Sequence, residues 1–202
     1  MIIIFSIAIL VISVVVHEVA HGLAALWQGD PTAKYAGRLT LNPLKHIDPI
    51  GSVVIPLICA VLPGAIMFGW AKPVPVNIYN LRNPRRGEAI VSFAGPLSNI
   101  IIALIFGLIL RFYLPMLPSE TVEVLILIIV TNIVLAIFNL MPVPPLDGSK
   151  ILFSLLPDRF ENFKRMMDQY GMFLAIFFIF FIWQFFSPVI FFAFSLLTGI
   201  TG

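Results

Sequence analysis

Charge is scarce in this chain. Of its 202 residues 11% are charged and 60% are hydrophobic, whereas soluble domains carry about a quarter charged residues. An ordinary soluble domain is excluded. With a mean hydropathy of +1.05, the chain reads as an integral membrane protein with nearly all of its length in or beside lipid. Cysteine is almost missing. Cys59 is the single one, which leaves neither an internal disulfide nor a cysteine-built zinc site. The net charge of +2 gives no case for a nucleic-acid partner. No internal repeat is visible, which counts against a transporter of inverted halves. The first apolar run lacks a basic leader and a small-residue cleavage signal, so it reads as a helix and not as a signal peptide.

What is present is long apolar runs. A spanning helix needs about 20 apolar residues, and four stretches qualify: roughly 2–27, 89–113, 121–141 and 171–197. A fifth, 51–70, is broken by Pro56, Pro63 and Gly64. The expected fold is an all-α polytopic membrane protein, a single domain over 1–202. It has about four transmembrane helices, a re-entrant or fifth hydrophobic segment at 51–70, and short extended segments at 36–42 and 72–79. If 51–70 dips in and returns, eleven of the twelve Lys and Arg residues share one side and only Arg111 lies opposite. The positive-inside rule makes the crowded side cytoplasmic and puts the N-terminus outside. Residues 150–169 mix charges with Leu155, Phe160, Phe163 and Met166, as an amphipathic stretch at that surface does. The functional core is expected within about 1–157.

Against this background the segment "VVVHEVAHGL" is out of place. An ionisable side chain at membrane depth is costly and marks function. His17 and His21 are four apart, so on a helix they share a face and can reach one metal ion. Glu18 adjoins the first histidine without being forced to bind, as the general base of an H-E-x-x-H zinc site does. Such a site wants a third protein ligand. His46, in "PLKHIDP", and Glu88, at the start of the second span, are candidates. Glu120 and Glu123 fall on the opposite face. Asp147 is the strongest choice, because Pro142, Pro144 and Pro145 break the third span just before it and Gly148 permits a turn just after. Its competing role is an N-cap for a helix over 148–156. Asn99 and Asn139 lie at the same depth. Either amide could donate to a substrate carbonyl or an oxyanion, or could simply join helices.

"HEVAH", then "FAGPLSN", then "NLMPVPPLDG" resemble, in that order, the motifs of the site-2 protease family of intramembrane zinc metalloproteases. The likeness covers about residues 1–160 and points to the minimal branch without PDZ or CBS domains. It implies one Zn²⁺ per chain held by His17, His21 and Asp147, with Glu18 as catalytic base. It implies that Asn139 aids the substrate or oxyanion and that Gly95 and Asn99 fill the middle motif. The substrate would be a single-span membrane protein, cut in the cytoplasmic half of a prokaryotic cell membrane. A helical substrate hides its carbonyls in i to i−4 bonds, so it must unwind. Pro73, Val74 and Pro75 lie in an extended segment that could hold the unwound stretch by strand addition. Two other readings place the same residues in a divalent-metal transporter, which has little use for Glu18, or in a non-catalytic scaffold that keeps the metal for stability. Trp183 and Gln184 mark the place in the Phe-rich last helix where a gate would lie; the plainer role of that helix is lipid-facing packing.

Overall fold

The structure is a computed structural model that describes residues 2–54 and 71–200. The segment expected to re-enter at 51–70 therefore lies almost wholly outside the described residues.

In lipid a backbone must satisfy its own hydrogen bonds, and uninterrupted apolar sequence does so as helix. Helix α1 (Ile2–Trp27) leads through a tight turn to the one-turn helix α2 (Thr32–Tyr35). Helix α3 (Pro84–Tyr113) begins five residues before the sequence-based boundary. Asn83 caps it by accepting the Arg86 N–H, and Pro84 fills a first-turn position where no N–H is needed. Helix α4 (Ser119–Asn139) ends where Pro142 follows. A turn with a cis Pro144–Pro145 bond leads into α5 (Asp147–Leu155). The stretch 150–169 is thus not one element. It is shared between α5 and α6 (Glu161–Gln169), separated by Pro157, with the Arg85 guanidinium donating to the Ser154 and Leu156 carbonyls at the α5 terminus.

The last span is also interrupted. Helix α7 (Gly171–Phe177) passes through a widened π segment, Phe178–Ile182, and a tight 3-10 turn, Trp183–Phe186, before α8 (Ser187–Thr198). Pro188 explains the break, since its ring clashes with the carbonyl four residues earlier. Trp183 fills the break by packing edge-on against Phe138, 5.4 Å between ring centres.

Four helical stretches are long and apolar enough to cross a membrane: Ile4–Trp27, Pro84–Met116, Ser119–Asn139 and Gly171–Thr198. The protein is an integral, multi-pass membrane protein of all-α class. Helix α3 is its axis, for α1, α4, α5 and α8 all pack on it. Ala103 and Leu110 of α3 bury Leu125, Ile129 and Ile133 of α4, with Phe194 and Leu197 of α8 against them. Outward residues such as Ile12, Phe185 and Phe192 are exposed, as lipid contact requires. No strand occurs among the described residues. Residues 71–77 run as irregular chain, tied to the 43–46 turn by a Lys72 N–H to His46 carbonyl bond of 2.9 Å.

Candidate metal centre

Helix α1 carries His17 and His21 on successive turns, with their rings nearly perpendicular and their centres 4.6 Å apart. Asp147 arrives from 130 residues away at the start of α5. Leu146 holds the N-cap position of that helix, so Asp147 is its first residue and not its cap, and the Asp147 carboxylate is turned to the histidines. The two Nε2 atoms lie 3.0 Å apart. Asp147 Oδ2 is 3.2 Å from that of His17 and 3.1 Å from that of His21. All three residues are buried. Among the described residues they form the one group of three side chains able to share an ion.

The donor set fits a zinc ion. His17 Nδ1 lies 2.6 Å from Asn99 Oδ1, and His21 Nδ1 lies 2.7 Å from the Val91 carbonyl. Both partners are acceptors, so each Nδ1 carries its hydrogen and each Nε2 presents a lone pair. Three electron-pair atoms thus face one another with no hydrogen between them, an arrangement that a cation relieves. A tetrahedral zinc with ligands at about 2.0–2.1 Å needs neighbouring ligand atoms about 3.3 Å apart, close to the spacing found.

Gly95 of α3 is part of this geometry by having no side chain. A Cβ there would overlap His21 Nε2 and would sit 2.6 Å from His17 Nε2. Gly148 acts likewise at the start of α5, where a Cβ would overlap the Leu140 carbonyl. Both glycines are required by close approach, not by an unusual backbone angle.

Behind His17 lies a buried polar chain. Asn99 accepts from the imidazole, and its amide donates to Asn132 Oδ1 at 2.8 Å. The Asn132 amide donates to Ser13 Oγ at 3.0 Å and to the Ile128 carbonyl at 2.9 Å. Asn99 and Asn132 are wholly buried. Asn99 is therefore turned to the histidine and not to a substrate. Ser13 and Asn132 were not singled out from the sequence. The signal was there: Ser13 is four residues before His17, and Asn132 is a lone amide in an apolar run.

The triad opens into a cavity of about 430 Å³ lined also by Glu18, Pro73, Val74, Glu88, Asn139 and Lys150. Glu18 Oε2 accepts the Val74 N–H at 2.8 Å. Asn139 lines the cavity, one amide hydrogen held by the Leu135 carbonyl at 2.9 Å. Glu88 faces the same space but stands outside the ligand group. Lys150 Nζ is 3.9 Å from Asp147 Oδ1. His46 is buried elsewhere and donates from Nε2 to the Thr40 carbonyl at 2.9 Å. Pro75 is exposed beside the cavity. Pro73 and Pro75 have no N–H, and that of Val74 goes to Glu18, so this stretch offers an incoming strand few donors.

The family model for peptidase family M50 matches residues 5–117 and 114–182. The chain is 41% identical over 177 residues to "Putative zinc metalloprotease YwhC" of Bacillus subtilis, a match covering 83% of this chain and 77% of that protein. It is 31% identical over 167 residues to "Putative zinc metalloprotease Rip2" of Mycolicibacterium smegmatis, covering 81% of this chain and 62% of that protein. A third relative, "Putative zinc metalloprotease MJ0611" of Methanocaldococcus jannaschii, is 32% identical over 89 residues, 43% of this chain and 46% of that protein. No solved structure matches the chain.

Proposed function

This chain belongs to peptidase family M50, and on that premise we propose that it is an intramembrane zinc endopeptidase whose base is Glu18. It is a zinc metalloprotease of the membrane; the substrate, the cut and the roles of single residues are our reading. The observation that carries it is the convergence of His17, His21 and Asp147 to 3.0–3.2 Å beside a glutamate that faces the same cavity without joining them.

His17, His21 and Asp147 hold the ion, with Asn99 and the Val91 carbonyl fixing the ring orientations. Zinc, when bound, acidifies water and polarises a peptide carbonyl. Glu18 takes the proton from the attacking water and returns it to the leaving amine. The Val74 N–H on Oε2 fixes the carboxylate for that transfer. Asn139 hydrogen-bonds the substrate carbonyl from the cavity wall. The substrate is a single-span membrane protein, unwound at the cut, and the cavity lies in the cytoplasmic half of the bilayer, as the basic-residue count argues.

The test is cleavage of a single-span model substrate by the purified protein in proteoliposomes, with and without chelator. Chelation should stop cleavage and zinc should restore it. Glu18→Gln should keep one zinc per chain and lose about 10²–10⁴-fold in kcat. Undiminished cleavage by Glu18→Gln overturns its role as base. Zinc flux across the vesicle with no cleavage would favour the transporter reading.

A further inference from the structure

Glu18 is held by a single backbone N–H from a stretch with no regular structure, so something else must fix that stretch. Val74 carries the only N–H in Pro73–Val74–Pro75 and spends it on Glu18 Oε2 at 2.8 Å. Proline rings limit the backbone on both sides, but no helix or sheet holds residues 71–77 in place. Beside the Lys72 N–H bond to the His46 carbonyl, two buried charged side chains do. On one side Arg38 donates from Nη2 to the Lys72 carbonyl at 2.6 Å and to the Pro73 carbonyl at 3.3 Å. On the other, Asp30 accepts the Asn77 N–H at 2.7 Å and the Asn80 amide at 3.0 Å. Both sit in the connection after α1, the helix that carries Glu18.

We propose that Arg38 and Asp30 are positioning residues that pin the two ends of the 72–77 stretch, so that the Val74 N–H stays aimed at Glu18. This rests on the reading of Glu18 as base. Neither residue lines the cavity, so neither touches substrate there.

The degree of burial argues against a merely decorative role. Arg38 is 7% exposed and Asp30 is 0% exposed, and buried charges persist only when hydrogen-bonded. Asp30 gathers four donors, the other two being the Thr32 N–H and hydroxyl. Burial pushes its carboxyl up; the Thr32 hydroxyl, then Asn80 and the backbone N–H groups, outweigh that and hold it below the usual range. The pins tie the stretch to the chain on either side of α2, just after the helix that carries Glu18, so the base and its hydrogen-bond donor move as one body.

The experiment compares Arg38→Ala, Arg38→Lys and Asp30→Asn with wild type in the zinc-loaded full chain. The readouts are zinc stoichiometry, kcat and KM on the model substrate, and hydrogen exchange of the 71–81 peptide. A misplacement of about 1 Å can cost 10²-fold. Arg38→Ala should therefore lose roughly 10–100-fold in kcat with zinc and KM unchanged, and the Val74 and Asn77 N–H groups should lose protection. Arg38→Lys, which keeps the charge and one donor nitrogen, should recover part of both. Asp30→Asn should free the Asn77 end. Unchanged kcat and protection in Arg38→Ala overturn the proposal. So does loss of zinc in proportion to activity in Arg38→Lys, which would mark a general folding role. Glu18→Gln separates the two failures: if it is inactive while Arg38→Ala is fully active, only the pinning is wrong, and if it is active the base assignment is.

Discussion

The two halves of the site are built from different materials. The ion-holding half is made of side chains on helices α1, α3 and α5, backed by a buried amide chain that reaches α4. On our reading of Glu18 as base, the proton-handling half is Glu18 plus a loop backbone, with charged side chains from another loop hydrogen-bonded to that backbone. Helices packed in a membrane give a rigid frame at fixed spacing. A loop gives a place that a peptide can approach. The difference teaches that ion binding and proton transfer should separate under mutation of their supports, because Glu18 shares α1 with both histidines but leans on the 72–77 stretch, whereas the histidines lean on α3.

Gly95→Ala should break the comparison most severely. Its Cβ would overlap both Nε2 atoms, so zinc and cleavage should fall together, as they should on removing His17 or Asp147. Zinc analysis of the purified variant checks this, and a fully loaded Gly95→Ala would mean that the glycine is not part of the site. Asn99→Ala should come next. It removes the acceptor for His17 Nδ1, and losing such an outer partner costs about 10–100-fold in metal affinity. Competition with a zinc chelator measures it. The 72–77 stretch should stay protected from exchange in that variant, which sharpens the contrast between the halves.

The smallest effect is on pH. The carboxyl of Asp30 is held below the usual carboxylate range by its hydrogen bonds, and without them it would titrate in that range. Its contribution is therefore complete above the usual range and is lost as pH falls through the lowered value. The protection factor at Asn77 should survive descending pH until below the ordinary carboxylate range. In Asp30→Asn it should be low at every pH. Wild-type protection that fails at mildly acid pH would put the anchor elsewhere.

The convergence of His17, His21 and Asp147 was legible in the sequence. Four-residue spacing puts His17 and His21 on one face, and a proline-broken helix end singles out Asp147. The four spans were legible because long apolar runs have one stable form in lipid. The break at 178–186 was hidden inside a continuous Phe-rich run, although Pro188 was its visible cause. The partners of the site were harder. Asn99 reads equally as a substrate donor or a helix joiner until its oxygen is seen on His17, 82 residues away. Nothing in the spacing of Asp30, Arg38 and Val74 says that they meet, because loop geometry has no period to read. Glu88, weighed as an alternative to Asp147, reaches the cavity wall without joining the group of His17, His21 and Asp147.

His17 and Asp147 stand 130 residues apart in the chain. An ion shared between them therefore also acts as a clasp, closing a loop that holds α3, α4 and the turn after it. Loop-closure entropy grows slowly with length, and metal-binding free energy counts as folding free energy when the site forms only on assembly. The same ion that equips the protein for hydrolysis thus helps to decide whether its inserted helices stay together.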